Sequence, residues 1–293
     1  MADRLFDNLF IGAGAMKAGT TWLYSVLDRH PEIFFSPEKE IHYFHARHVD
    51  PAVLSEERRL ANTKQKYLHI DPGKSRAAAV RARLRWAANY LDGPVDDHWY
   101  QSLFAARTGQ TYVADFSNLY TLLPQDAWPQ VAARAGRLRV LYTMRAPIDR
   151  LWSHVKFHLT ITGERDKLDQ WGPSEMERFL RQPFLWNNAE YGQAVRRMQG
   201  GLPAEALMLA YHETMHADPR AGLRGIERFL GIAPHSYPDA LLSQRVNATA
   251  ATPPPPYFRD LVAKDVERII GELRDIGLTP PESWEPGAMA AVG

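Results

Sequence analysis

The stretch that decides the fold is FIGAGAMKAGTTWLYSVLDRHP, residues 10–31. The apolar run Leu9–Ile11 overlaps its start and is typical of a buried parallel strand. A glycine-rich turn follows and ends at Gly19. The segment Thr20–Asp28 then carries apolar residues on one face, which predicts a helix ending before Pro31.

A strand, a glycine-rich loop and a helix in this order form a phosphate-binding geometry, because free backbone N–H groups and the positive helix end face the anion. Lys17 adds a positive charge, and the hydroxyls of Thr20 and Thr21 can donate. The order differs from the nucleotide P-loop G-x-x-x-x-G-K-[ST], since Lys17 precedes Gly19 by two residues. A tight turn leading into a core helix is the alternative interpretation of the loop alone.

Composition indicates an ordinary globular protein. The 293 residues suffice for one large domain or two small ones, and 45% of them are hydrophobic. A net charge of +1 predicts no general attraction to nucleic acid, and the absence of cysteine excludes disulfides and thiolate metal sites. We find no apolar run of about 20 residues that would span a membrane. The segment Met1–Asn8 is too short and too acidic for a signal peptide, so we expect a cytoplasmic protein.

Strand and helix patterns alternate along the chain. Apolar strand patterns occur at Leu9–Ile11, Thr111–Asp115, Arg139–Met144 and Ala206–Tyr211. Helical patterns occur at Thr20–Asp28, Ser75–Tyr90, Trp99–Phe104, Gln125–Ala135, Asp149–Leu159, Ser174–Arg181, Ala189–Gln199, Pro219–Leu230 and Tyr257–Leu273. This alternation predicts an α/β fold of three layers, with a central parallel sheet flanked by helices.

A second phosphate-binding pattern reads RAPIDRLWS, from Arg145 to Ser153. Arg145 follows an apolar strand and is expected at its carboxyl end, where open α/β sheets bind ligands. Pro147 stops the strand and starts a helix, on which Ser153 lies one turn after Asp149 and faces back towards Arg145. A guanidinium and a hydroxyl can together hold a phosphate. A surface arginine beside a helix start is the alternative.

Together these two motifs resemble those of the sulfotransferases that use PAPS (3′-phosphoadenosine 5′-phosphosulfate) as sulfuryl donor. The order Lys-x-Gly-Thr-Thr resembles their 5′-phosphosulfate loop, and Arg-x-Pro-x-x-Arg-x-x-Ser resembles their 3′-phosphate motif. The resemblance implies that the 5′-phosphosulfate is bound by Lys17, Ala18, Gly19, Thr20, Thr21 and Trp22. It implies that Arg145 and Ser153 hold the 3′-phosphate. It also implies a P-loop-type domain.

The resemblance extends to two further segments. Gln244-Arg-Val-Asn247 resembles a C-terminal loop that closes over the 3′-phosphate, which implies that Arg245 and Asn247 bind the cofactor; a polar loop is the alternative. The whole chain, residues 1–293, is expected to form a single sulfotransferase domain. Residues 46–110 and 160–205 match no specific motif and are expected to be insertions on the substrate side.

The segment Lys39-Glu-Ile-His-Tyr-Phe44 resembles the Lys-Glu-x-x-Phe segment of the carbohydrate O-sulfotransferases, including the heparan sulfate type. The resemblance implies that Glu40 is the catalytic base, whereas a histidine serves in the small-molecule enzymes, which makes His42 a second candidate. Alternation along an extended segment would place both side chains on one side. Two further histidines, His154 and His158, are rival bases.

These motifs predict transfer of a sulfuryl group from PAPS to a hydroxyl of a small-molecule or carbohydrate acceptor, with release of PAP. Glu40 would remove the acceptor proton and Lys17 would stabilise the charge that builds on PAP. Asp115 and Ser117, at the end of a predicted strand, are candidates for the acceptor site. The heparan-sulfate relatives carry a lysine where this chain has Phe116.

Two other functions stay open at this point. A P-loop kinase would use ATP and Mg²⁺, but it would place the lysine after the last glycine of the loop. A protein that binds PAP without catalysis is the other alternative. No metal site is predicted from the sequence, although two pairs among the 11 histidines, His154 with His158 and His212 with His216, have H-x-x-x-H spacing and the second pair reads H-E-x-x-H. No nucleic-acid partner is expected, and the sequence does not predict the oligomeric state.

Overall fold

The computed structural model describes residues 4–71, 73, 75–244 and 252–285. Its sheet contains β1 (Phe6–Gly12), β2 (Ile33–Phe35), β3 (Tyr112–Phe116), β4 (Ala135–Met144) and β5 (Leu207–Tyr211). The strand order is β2-β3-β1-β4-β5, and every neighbouring pair is parallel. Leu9 in the central strand pairs with Val113 on one side and Leu138 on the other. The predicted parallel sheet is confirmed.

Helices occupy most of the remaining described chain. They are α1 (Thr20–Leu27), α2 (Tyr43–His48), α3 (Glu56–Lys66), α4 (Ala77–Leu91), α5 (Asp97–Ser102), α6 (Ala127–Ala132), α7 (Pro147–Ile161), α8 (Lys167–Gln170), α9 (Pro173–Leu180), α10 (Pro183–Trp186), α11 (Tyr191–Gly201), α12 (His212–Ala217), α13 (Pro219–Leu230), α14 (Asp239–Leu242) and α15 (Tyr257–Asp275). Short 3-10 turns lie at Pro51–Leu54, Asn118–Leu122, Asn187–Ala189, Ala204–Ala206 and Glu282–Trp284. Among the described residues, no helix is long and apolar enough to cross a membrane.

The two faces of the sheet bury two separate clusters, which makes the domain three-layered. Successive side chains of a strand point to opposite faces. Leu9 and Ile11 accordingly join the cluster that includes Val155 of α7, whereas Phe10 joins the cluster that includes Val26 of α1. Because both faces are covered, the strands read as continuous apolar runs rather than as alternating ones.

Four strands end along one edge of the sheet, where polar segments follow them. The loop before α1 follows β1, the 3-10 turn at Asn118–Leu122 follows β3, Arg145 follows β4, and α12 follows β5 directly. Parallel strands have their carboxyl ends at the same edge, and open α/β sheets bind ligands there. The fold thus gathers the predicted motifs at one place.

The structure differs from the sequence prediction in two regions. Residues 46–74, for which the sequence predicts no element, contain α3, where only Arg59 and Thr63 are buried. A helix that buries so little has no apolar stripe for the sequence to reveal. The prediction of an extended segment at residues 39–44 is wrong, because Glu40 and His42 have positive φ values of 71° and 61° and α2 begins at Tyr43.

Candidate active site

The loop between β1 and α1 is fastened to the neighbouring strand β4. The N–H of Ala15 donates to the carbonyl of Thr143 over 2.7 Å, and the N–H and the hydroxyl of Thr143 both donate to the carbonyl of Gly14 over 2.9 Å. Gly19 precedes α1 with a φ of 86° and provides no side-chain cap. The first N–H groups of α1 therefore have no partner within the helix and can bind an anion.

The loop residues predicted to bind phosphosulfate are placed as follows. Lys17, Gly19, Thr20, Thr21 and Trp22 line one large cavity of about 1870 Å³. Ala18 does not line it, and its side chain is buried with 1% exposure. The Nε1 atom of Trp22 donates to the carbonyl of Leu242 over 3.3 Å.

Lys17 carries a positive charge into the cavity from the loop between β1 and α1. Its Nζ atom is 4.3 Å from the centroid of the Phe157 ring. Burial lowers the pKa of Lys17 to about 8, with further lowering from Arg145, Lys39 and Lys156. An anionic ligand would relieve the repulsion among these cations, because it would place negative charge between them.

Arg145, the first residue of the second motif, contacts the loop between β1 and α1 directly. An Nη1–H of Arg145 contacts the carbonyl oxygen of Lys17 at 3.5 Å, and Ser153 of α7 lines the same cavity. The Nε atom of Arg145 is buried and has no hydrogen-bond partner among the described residues. A buried polar atom without a partner is costly, so this atom indicates a place for a ligand oxygen.

Arg150, the middle residue of the same motif, has a different role. It is fully buried, and its Nη2 donates to the carbonyl of Leu185 over 2.9 Å and lies 2.7 Å from Nδ1 of His154. Arg150 therefore holds α7 against α10 and does not line the cavity, although its Nε and Nη1 atoms are buried without a partner among the described residues.

Glu40 is held in place by backbone contacts from two directions. Its Oε2 atom accepts the N–H of Asn118 over 2.6 Å, and its own N–H donates to the carbonyl of Phe116 over 3.0 Å. Its Oε1 atom accepts a hydrogen bond from Nζ of Lys39. Burial raises the pKa of Glu40, but Lys39, His42 and the Asn118 N–H outweigh it and hold that pKa below its ordinary value. Glu40 is therefore ionised at neutral pH and can accept a proton.

His42 lies beside Glu40, with its Nε2 atom 3.8 Å from Oε2 of Glu40. Burial lowers the pKa of His42 to about 4, although Glu40 acts in the opposite direction. The imidazole is consequently neutral at neutral pH. Both predicted bases thus line the cavity together with Lys17.

The two rival histidines differ in their surroundings. His154 is buried against Arg150, and burial together with that arginine lowers its pKa to about 2. His158 stacks on Phe184 with 4.5 Å between the ring centroids. Both line the cavity, but the Nδ1 atom of His154 is occupied by Arg150.

Asp115 and Ser117, which the sequence suggested for the acceptor site, lie beneath it. Asp115 is 1% exposed and accepts hydrogen bonds from Ser117, Tyr100 and Tyr120. The Ser117 hydroxyl oxygen accepts the N–H of His42 over 2.9 Å. Neither residue lines the cavity, because both side chains are used to support the turn that carries Glu40 and His42.

Sequence reasoning missed the two histidines of α12. His212 and His216 line the cavity with their ring centroids 3.9 Å apart, and His216 lies 4.7 Å from the ring of Trp22. Burial lowers the pKa of His212 to about 3, with help from His216 and Arg145. Their spacing on one helix face was visible in the sequence, but nothing there linked that face to the loop.

The remaining predictions concern the C-terminal cofactor loop and metal binding. Arg245 and Asn247 lie outside the described residues. Within the part of the chain that the structure describes, no group of three or more His, Asp or Glu side chains could hold a metal ion.

The cavity thus joins the glycine-rich loop before α1, a strand-end arginine with a helical serine, and a carboxylate with a neutral imidazole. The sequence profile of the sulfotransferase family matches residues 9–236, which is most of the chain. The chain belongs to this family, and the resemblance to the PAPS-dependent sulfotransferases is confirmed. The protein is an enzyme, a sulfotransferase.

Solved sulfotransferase structures share the fold. The sulfotransferase from Alicyclobacillus acidocaldarius is 20% identical, with a TM-score of 0.60 over 97% of this chain and 99% of that chain. The sulfotransferase domain of the Synechococcus PCC 7002 olefin synthase is 15% identical, with a TM-score of 0.52 over 96% of this chain and 98% of that chain. No curated protein sequence matches this one.

Proposed function

We propose that the enzyme transfers the sulfuryl group of PAPS to a hydroxyl group of its acceptor and releases PAP. The observation that carries this proposal is the single cavity lined by Lys17, Arg145, Ser153 and Glu40. The first two are the cations that a 3′,5′-bisphosphate would need. Arg145 in addition has a buried Nε atom without a partner among the described residues, so the site fits this group.

The cofactor would be held by two parts of the chain. The free N–H groups at the start of α1, with Lys17, Thr20 and Thr21, would bind the 5′-phosphosulfate. Arg145 and Ser153 would bind the 3′-phosphate, which distinguishes PAPS from simple adenylates. Trp22 would pack against the nucleotide from the same loop. Arg245 and Asn247 stay predictions.

PAPS supplies a sulfuryl group whose bond to the 5′-phosphate oxygen breaks as the acceptor oxygen bonds to sulfur, so that the electron pair leaves with PAP. Glu40 receives the proton of the acceptor hydroxyl, and His42 can take this role because its imidazole is neutral. Lys17 would stabilise the negative charge that develops on the leaving phosphate oxygen.

The chain is proposed to act as one domain, in which residues 46–110 and 160–205 belong to the substrate side. Asp50 and Val53 from the first segment and Ile161 and Phe184 from the second line the same cavity as Lys17, which supports this assignment. The predicted cytoplasmic location stays a prediction.

Ligand-dependent melting tests the cofactor assignment. PAP or PAPS should raise the melting temperature by mass action, whereas AMP and ADP, which lack the 3′-phosphate, should raise it far less. An equal increase with ATP and Mg²⁺ would instead favour a kinase.

A further inference from the structure

Asp115 is a buried carboxylate for which the packing of the core gives no reason. It lies in β3, whose five residues are all buried, and its side chain is almost inaccessible to solvent. Among the described residues its hydrogen-bond partners are hydroxyl groups, and no lysine or arginine forms an ion pair with it. A buried carboxylate without a cation is costly, because its charge leaves water and gains no opposite charge. An apolar residue at this position would serve the core better.

Three hydroxyl groups donate to this carboxylate. Ser117 donates to Oδ1 over 2.7 Å, and Tyr120 and Tyr100 donate to Oδ2 over 2.6 Å and 2.9 Å. An ionised carboxylate can only accept hydrogen bonds, so it fixes the direction of all three hydroxyl hydrogens. The lone pairs of each hydroxyl oxygen are consequently free to accept a hydrogen bond from another group.

Two of these hydroxyl oxygens accept N–H groups from the segment that carries the proposed base. The Ser117 oxygen accepts the N–H of His42 over 2.9 Å, and the Tyr120 oxygen accepts the N–H of Phe44 over 3.4 Å. Phe44 lies in the first turn of α2, where an N–H group has no partner within the helix. The capping residue His42 supplies no side-chain hydrogen bond, so the hydroxyl of Tyr120 takes the place of a cap.

The backbone at the proposed base needs this outside support. Glu40 and His42 have positive φ values of 71° and 61°, in a region that residues other than glycine rarely adopt. Such a conformation persists only where the surrounding structure holds it. The carbonyl of Phe116 and the N–H of Asn118 contact Glu40, and the two hydroxyl groups hold the residues that follow. All four contacts come from the end of β3 and the turn after it.

We propose that Asp115 is a positioning residue for the sulfuryl transfer, because its ionised carboxylate directs the two hydroxyl groups that hold the segment of Glu40 and His42. This inference rests on the proposed function. Asp115 does not line the cavity, so it acts on the reaction only through this segment.

The positioning depends on the charge of Asp115. A protonated carboxyl group would itself need an acceptor, so one of the three hydroxyl groups would have to turn away from it. Ser117 and Tyr120 are both fully buried, so bulk water would not replace the lost contact. Protonation of Asp115 would therefore loosen the segment that carries the base.

Asp115 is protonated before Glu40 as the pH falls. The titratable groups that face Asp115 are Tyr100 of α5, Tyr120 of the turn after β3 and Glu40 of the segment before α2. Burial raises the pKa of Asp115 to about 6 although the three hydroxyl groups lower it, and the charge of Glu40 adds to the rise. The pKa of Glu40 is held below its ordinary value, and burial raises the pKa of both tyrosines well above theirs. Activity should therefore be lost on the acid side before the base itself is protonated.

The pH profile of kcat, at saturating PAPS and 2-naphthol, tests this role. We expect the wild-type kcat to decline as the pH falls through about 6. Tyr100→Phe keeps the ring that stacks on Tyr43 but removes one hydrogen bond from the carboxylate. It should raise the pKa of Asp115 and move the decline upward by about one pH unit, with kcat at pH 8 close to that of the wild type.

Asp115→Asn removes the charge and keeps the shape of the side chain. Its amide donates, so at least one hydroxyl group is misdirected. We expect kcat at pH 8 to fall roughly 10- to 100-fold, no decline near pH 6, and an unchanged PAP dissociation constant. Glu227→Gln is the matched control, because Glu227 is a buried carboxylate of α13 on the other face of the sheet. It should keep the wild-type pH profile, even if it is less stable.

An acid decline that is unchanged in Tyr100→Phe and Asp115→Asn would overturn the inference, and so would its absence from the wild type. If Asp115→Asn does not fold, an unmoved decline in Tyr100→Phe is sufficient to overturn it.

Hydrogen exchange separates this inference from the proposed function, because it needs no acceptor. With PAP bound, a peptide that contains the N–H groups of His42 and Phe44 should exchange at least roughly tenfold faster in Asp115→Asn than in the wild type. Equal protection in the two proteins would overturn the inference even if sulfuryl transfer is found. Binding of PAP without transfer to any hydroxyl acceptor would overturn the proposed function, whatever the exchange shows.

Discussion

The backbone N–H of Asn118 donates to the Oε2 atom of Glu40 over 2.6 Å, across 78 residues of sequence. Asn118 directly follows the buried pair of Asp115 and Ser117, which also holds the N–H of His42. The proposed base is therefore fixed by the end of β3 rather than by its own segment. A base held in this way needs no rearrangement to receive a proton.

Glu40→Gln tests the proposed base. The amide keeps the shape of the side chain but cannot accept the acceptor proton, so we expect kcat to fall roughly 10²- to 10⁴-fold. The PAP dissociation constant, measured by calorimetry, should stay the same. Glu57→Gln on the exposed face of α3 is the control. If the turnover of Glu40→Gln is close to that of the wild type, the base is His42 or His158 instead.

Ser117→Ala tests the support beneath the base. The substitution leaves the partly buried N–H of His42 without its acceptor, which should destabilise the protein by about 1–3 kcal/mol. It should also lower kcat without weakening PAP binding, because the Ser117 hydroxyl is bonded to Asp115 and to the N–H of His42 rather than to the loop or Arg145. Urea unfolding and steady-state kinetics measure the two effects. Unchanged kcat in a destabilised variant would show a structural role only.

Arg145→Ala and Arg150→Ala separate the two arginines of one motif. Loss of Arg145 should weaken PAP binding by about 2–3 kcal/mol, since it removes a charge-assisted contact, with little change in stability. Loss of the fully buried Arg150 should instead lower the free energy of unfolding by about 2–4 kcal/mol, because it leaves a cavity and removes two contacts. Calorimetry with PAP and urea unfolding distinguish these outcomes, and equal PAP affinities of Arg145→Ala and wild type would refute the 3′-phosphate assignment.

The pH dependence of PAP binding tests Lys17. In the free protein the pKa of Lys17 is lowered to about 8. An anionic ligand favours the protonated amine and raises that pKa in the complex. Binding should therefore be strongest below pH 8 and weaken as the pH rises from about 8 to the higher value of the complex. Lys17→Met should bind PAP weakly and lose this decline, and a decline that persists in Lys17→Met would assign it to another group.

The sequence predicts those parts of the site whose residues are close together along the chain. The loop at Lys17 and the segment from Arg145 to Ser153 each lie within one strand–loop–helix unit, so that spacing alone gives their placement. The conformation at Glu40 and His42 was missed, because their positive φ values are fixed by contacts with residues 75 or more positions away. A match to a local motif can also mislead. Arg150 fits the motif, but its side chain packs α7 against α10 and does not line the cavity. His212 approaches the loop only through the pairing of β4 with β5, which no local pattern encodes.

Transfer of labelled sulfate from PAPS tests the central claim most directly. The wild-type enzyme is incubated with sulfur-labelled PAPS and hydroxyl acceptors that include 2-naphthol, and the labelled organic product and the released PAP are both quantified. We predict equal molar amounts of the two, with both strongly reduced in Glu40→Gln and Lys17→Ala. Tight PAP binding without any labelled product, or a phosphorylated product formed from ATP and Mg²⁺, would contradict the account.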